Sequence, residues 1–186
     1  AIVNGEKKTG VTIMKTEEGL DTGDIIAAYE TEIGETETAG ELSERLSEIG
    51  AEHICGILSD IENNAAAYTK QNDAEATVVK TIKKEQTEVD FAKSGREVAC
   101  FINGMSPLAF AVCNGKKFKF HRAKAAEIGG EAGEVIVADK KLIVGCGENS
   151  VEMLEIQEEG GKKLCAKDFL NGRKLKLGDR FGKKDA

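Results

Sequence analysis

Between the apolar runs VTIM and IIAAY stands KTEEGLDTGD, residues 15–24, which places four carboxylates and two glycines in ten positions. A carboxylate held on such a loop can accept a proton or orient a base. Asp21 is the candidate for that chemistry, with Glu17, Glu18, Gly19 and Leu20 beside it. An aspartate in a glycine-bounded turn also serves simply to turn or cap the chain, and the residues alone leave both roles open. A second set of candidates is cationic: Lys80, Lys83 and Lys84 in a polar stretch, then Lys116, Lys117, Lys119, Arg122 and Lys124 around an Asn-Gly pair. Such cations suit phosphate contacts, and a solvated strand face is the plain alternative.

Other chemistries are poorly supplied. His53 and His121 stand far apart with no second metal ligand at helical spacing, so surface or half-buried roles and no metal are expected. The five cysteines, at 55, 100, 113, 146 and 165, form no C-x-x-C pair, so they read as small buried or half-buried residues of a reducing compartment. A G-x-S-x-G elbow, a P-loop and a dinucleotide fingerprint are all missing from the sequence.

The elements that must position the candidates follow from periodicity. Val11 to Met14 and Ile25 to Tyr29 read as strands flanking the acidic loop. A helix is predicted next, opened by a Thr38/Glu41 capping box, with Ala39, Leu42, Leu46, Ile49, Ile54, Ile57, Leu58 and Ile61 forming one buried face. From Glu62 to about Glu85 the period is lost, which predicts a linker. Ser94 and Glu97 form a second capping box ahead of a short helix to Gly104. Asn114-Gly115 between alternating segments predicts a hairpin. On its second strand Lys117, Lys119 and His121 face away from Phe118 and Phe120. Further apolar runs to residue 157 predict four or five antiparallel strands, better closed into a small barrel than left as a flat sheet with open edges. A short helix near Ala166 to Leu170 precedes the basic tail.

Composition sets the class. The chain has 186 residues, 40% hydrophobic and 32% charged, with no apolar run near the roughly 20 residues of a membrane-spanning helix, so a cytoplasmic protein without membrane contact is expected. Residues 1–80 hold 6 Lys+Arg and 17 Asp+Glu, a net of −11, whereas 81–186 hold 20 and 16, a net of +4. A polyanionic partner for the second half is a fair expectation. The start AIVNGEKKTG has neither an initiator Met nor a signal-peptide pattern, which suggests a fragment or a processed chain.

Three segments in order resemble the methionyl-tRNA formyltransferase family: TGVTIMKTEEGLDTGDII, then ATVVKTIKKEQTEVDF, then GGKKLCAKDFLNGRKLKLGDRFG. The resemblance covers essentially the whole chain and departs near SPLAFA, where the family usually has a second proline and a glycine. It implies an α/β remnant, the end of a Rossmann-like formyltransferase domain, over residues 1–65. A linker over 66–85 and a mainly β C-terminal barrel related to OB folds over 86–186 would follow. It also implies formyl transfer from 10-formyltetrahydrofolate to the amino group of initiator methionyl-tRNA, without a metal, by a protein that is a monomer when complete. Asp21 matches the family's catalytic aspartate, Glu17, Glu18, Gly19 and Leu20 match the loop against the pterin ring, and the cations named above become tRNA contacts. The family's N-x-H pair and S-L-L-P segment do not occur, so the chain would begin just downstream of them and be inactive alone. A non-catalytic RNA-binding or structural fragment is the reading from another class. A sugar-nucleotide formyltransferase would be expected to share only the first segment.

Overall fold

The computed structural model describes residues 1–172 and 174–182. They fall into two compact units. One comprises residues 8–33 and 41–81, the other residues 1–7, 34–40 and 82 onward.

In the first unit β1 (Lys8–Met14) and β2 (Ile25–Glu32) pair antiparallel, with Val11 opposite Tyr29. Both strands are rich in β-branched residues, which suit a pleated, half-buried surface. Helix α1 (Ala39–Glu62), which belongs to this unit from Glu41 on, lies against them: His53 stacks on Tyr29 at 3.8 Å between ring centroids, and Arg45 donates to Thr31 Oγ1 and, at 2.7 Å, to the Glu32 carbonyl. The expected buried helix face is found only in part. Only Leu42 and Ile57 are buried in α1, while Leu58 and Ile61 are exposed. A 24-residue helix is about 36 Å long, and two strands about 5 Å apart are too narrow to cover it.

In the second unit α2 (Gly95–Met105) starts on the predicted capping box: Glu97 N donates to Ser94 Oγ at 3.3 Å and Ser94 N donates to the Glu97 carboxylate at 3.0 Å. It packs on a curled antiparallel sheet of β3 (Phe110–Cys113), β4 (Lys116–Ala126), β5 (Val135–Ala138), β6 (Leu142–Gly145), β7 (Ser150–Glu158), β8 (Leu164–Cys165) and β9 (Phe181–Gly182). The order is β5-β6-β7-β4-β3-β9, with β8 beside β7. The hairpin β3–β4 turns at Asn114 and Gly115, whose φ values of 50° and 74° are the positive pair that a two-residue turn of this type needs. The two ends of the sheet meet: Val135 N donates to the Asp179 carbonyl and Phe181 N to the Gly133 carbonyl, both at 2.8 Å. Short helix α3 (Ala166–Asn171) lies against β7.

The core of this unit is aromatic and aliphatic. Phe118 and Phe120 of β4 meet Phe181 edge to face at 5.8 and 5.4 Å, and Val98, Ile102, Leu142, Val151, Met153 and Ile156 complete it. A bulge around His121–Arg122 shifts the strand's parity, so that Ala123 turns inward after Phe118 and Phe120. Buried Asn103 of α2 holds that bulge: its Nδ2 donates to the Ala123 carbonyl at 2.9 Å and its Oδ1 accepts from Ala123 N at 2.8 Å. Burial pushes the thiols of Cys113 and Cys146 up to about 11 and about 12, helped at Cys113 by the Asp179 carboxylate. Cys55 and Cys165 are exposed, contrary to the sequence expectation. Among the described residues no helix is long and apolar enough to cross a membrane, and no group of three or more His, Cys, Asp or Glu side chains could hold a metal ion.

Candidate functional site

The acidic loop is a closed turn between β1 and β2. Lys15 N donates to the Asp24 carbonyl at 3.0 Å and draws its ends together. Gly23 is required there, because a Cβ would stand 1.7 Å from the Lys15 carbonyl oxygen. Asp21 takes a left-handed φ of 55°, a conformation aspartate tolerates better than most residues. The loop is then clamped from a distant part of the chain: Gln71 Nε2 donates to the Asp21 carbonyl at 2.9 Å and to the Gly23 carbonyl at 2.7 Å. Gln71 is carried by a segment whose Thr69 exchanges both backbone hydrogen bonds with Ile25 at 2.8 Å.

Glu17, Gly19, Leu20 and Asp21 line one concavity of about 310 Å³ with Met14, Lys15, Thr16, Thr22 and Gly23, whereas Glu18 lies outside its lining. Leu20 is 91% exposed, and Lys15 pairs with Glu17 at 3.8 Å. Among the described residues no side chain hydrogen-bonds the Asp21 carboxylate, and the backbone N–H groups of Glu17 to Leu20 have no backbone partner. Chemically the loop offers exposed carboxylates at Glu17, Glu18 and Asp21 and a short run of open backbone donors. Among the described residues the concavity's lining holds one cation, Lys15, already paired with Glu17, and no imidazole.

The cationic candidates divide. Lys80, Lys83 and Lys84 are exposed, with Lys83 N bonded to Gln86 Oε1 at 2.8 Å. On β4, Lys117 stands 3.7 Å over the Phe110 ring, and Lys119 has no carboxylate in pairing distance among the described residues. Both share the outer face with His121, whose Nε2 lies 3.0 Å from Gln157 Oε1. Lys116, Arg122 and Lys124 instead meet carboxylates of β7: Glu158 at 2.9 Å, Glu155 at 3.8 Å and Glu152 at 3.5 Å. Arg122 also donates to the Thr36 carbonyl at 3.2 Å. Sequence reasoning missed Gln71 and these glutamates. The first lies 50 residues from Asp21. The glutamates had a weak signal, an acid every third residue in EMLEIQE beside a lysine-rich strand.

Two family profiles match the chain in order. The one described as formyl transferase matches residues 1–58, and the one described as formyl transferase, C-terminal domain, matches residues 81–174, just over half of the chain. The chain belongs to the formyl transferase family. Within it, a protein named methionyl-tRNA formyltransferase from Koribacter versatilis is 40% identical over 98% of this chain and 60% of its own length. A relative of that name from Carboxydothermus hydrogenoformans is 38% identical over 97% and 60%. The chain therefore spans about 60% of the length of these curated relatives. The solved methionyl-tRNA formyltransferase of Clostridium thermocellum superposes on 77% of this chain and 62% of that one, with 26% identity and a TM-score of 0.53. An N-formyltransferase from Helicobacter canadensis, solved with folinic acid and dTDP-3-aminofucose, covers 84% of this formyl transferase chain and 58% of its own at 21% identity and a TM-score of 0.67. Likeness in fold to this N-formyltransferase thus runs well past the first segment.

Proposed function

We propose that the chain is the C-terminal portion of a methionyl-tRNA formyltransferase, which transfers a formyl group from 10-formyltetrahydrofolate to the amino group of initiator methionyl-tRNA. The observation that carries this reading is the 40% identity over nearly the whole chain to a relative of that name, against about 20% for the sugar enzyme. Residues 1–65 would end a Rossmann-like catalytic domain, 66–85 link it, and 86–186 form a barrel related to OB folds. The meeting of β9 with the start of β5 supports the barrel. The complete protein would act in the cytoplasm as a monomer.

In the transfer, an amine attacks the formyl carbon, an oxyanion develops and the amine loses a proton. Collapse of the oxyanion then breaks the bond from the formyl carbon to the carrier nitrogen, which takes up a proton and leaves as tetrahydrofolate. Asp21 would take or direct the amine's proton, held in place by its left-handed turn and the Gln71 clamp. The formyl carrier fits the loop in part: the open backbone of Glu17, Glu18, Gly19 and Leu20 suits the edge of a planar heterocycle, while 10-formyltetrahydrofolate itself would supply the activated formyl group. A carboxylate cannot stabilise an oxyanion, and losing one oxyanion donor costs about 10²- to 10³-fold in turnover. The N-x-H segment would provide that donor. Lys117 and Lys119, with Lys80, Lys83 and Lys84, are the favoured phosphate contacts, and Lys116, Arg122 and Lys124 are weaker candidates because carboxylates already engage them.

Formylation of methionyl-tRNA by this chain, alone and with the separately expressed first two-fifths of the Koribacter relative, tests the reading. Activity is expected only in the mixture. A mixture that stays inactive although the two polypeptides associate would overturn it.

A further inference from the structure

β7 runs between β4 on one side and, on the other, β6 and then β8. Two of its glutamates use that central position in the same way. Glu152 faces Lys124 of β4 at 3.5 Å and Lys141, just before β6, at 3.3 Å. Glu155 faces Arg122 of β4 at 3.8 Å and Lys163, just before β8, at 2.9 Å. Each carboxylate is therefore clasped from both neighbouring strands, and the side chains are only 10% and 29% exposed. Lys117 and Lys119, farther along β4, have no such partner among the described residues.

We propose that Glu152 and Glu155 are specificity-determining residues that stand in for phosphate, lowering the positive charge of one end of the cationic face and engaging its cations so that a polyanion binds chiefly at the Lys117–Lys119 end. This rests on the reading of the second unit as an RNA-binding module. An exposed cross-strand ion pair is weak, so a phosphate could draw one lysine away. The carboxylate left behind would repel that phosphate, and its low exposure leaves it little room to withdraw. Removing the two carboxylate charges from beside these four cations would raise the positive charge of this end by two. The glutamates thereby lower affinity for arbitrary polyanions while sparing the end of the face where Lys117 lies over Phe110.

The test is salt-titrated binding of poly(U) and of unfractionated tRNA to the full chain, its E152Q/E155Q form and the single E155Q form. Glutamine keeps the shape and a hydrogen-bonding oxygen, and the single form guards against loss of fold in the double one, which far-UV circular dichroism checks. The double form is expected to bind poly(U) on the order of tenfold tighter at low salt. Its log K against log salt should steepen by about 1.4, two further phosphates at about 0.7 each. The single form should show about half of that change. A folded variant with unchanged affinity and slope would overturn the proposal. Binding of tRNA by the unaltered chain reports separately on the RNA-binding reading. If the unaltered chain binds no RNA but the double form does, the glutamate role stands and that reading fails; if neither binds, both fall.

Discussion

The two units hold their residues in place by different means. In residues 110–182 the strands curl until their ends meet, and Phe118, Phe120, Met153 and Ile156 lie fully buried inside. In residues 8–33 and 41–81 only Leu42 and Ile57 are buried among the described hydrophobic residues, and the loop bearing Asp21 depends on backbone hydrogen bonds, a tight glycine and one glutamine. The difference teaches that shape in the second unit comes from a closed core, whereas geometry at the candidate catalytic loop comes from a few directional contacts. Regions with few buried apolar contacts open most easily, and loops that carry chemistry are commonly among them.

Substitutions can break this contrast. Phe118→Ala removes a ring that touches Phe169 and Phe181, and should cost about 3–5 kcal/mol in denaturant unfolding of the second unit. A loss below about 1 kcal/mol would mean that the closed core is not what holds it. Asn103→Ala leaves the N–H and carbonyl of Ala123 without their buried partner, and should cost about 1–3 kcal/mol per group left unsatisfied. Far-UV spectra should stay those of a folded sheet, because the deletion acts at one bulge.

Smaller changes sharpen it. Gln71→Ala removes two hydrogen bonds, each worth about 1 kcal/mol, and amide exchange across residues 15–24 should speed up by as much as about 30-fold while β4 and β7 keep their protection. Equal speeding in both units would show that they open together. The smallest effect concerns pH. Hydrogen bonds from Lys174 and then Lys116 hold the Glu158 carboxyl below its ordinary 4.5. The stability this gives is fully present above that ordinary value and is lost as pH falls through the lower folded one. Melting of wild type and Glu158→Gln should therefore differ slightly near neutrality and converge below about pH 4.5.

Local signals were readable in the sequence because local physics decides them. Asn114-Gly115 must turn with two positive φ values, and Ser94 with Glu97 must cap a helix. Asp21 and its neighbours were marked by an acidic, glycine-bounded loop and given their roles by the family resemblance, and four of those five residues share one concavity. The Gln71 clamp escaped notice because a glutamine in a polar stretch carries no mark of a target 50 residues away. Alternation along β4 predicted the faces of Lys117 and Lys119, yet the bulge that turns Ala123 inward depends on Asn103 from another element. Helix periodicity in α1 showed which residues could be buried, and the width of a two-stranded sheet decided that most were not.

The proposed role of Asp21 is that of the proton-handling carboxylate in formyl transfer. The most direct test compares wild type with Asp21→Asn in the assembly with the upstream portion of a relative, measuring formyl transfer to methionyl-tRNA against pH. The amide keeps the shape and the loop's backbone bonds but cannot accept a proton, so turnover should fall by about 10²- to 10⁴-fold with little change in KM. Turnover within a few-fold of wild type would contradict the claim.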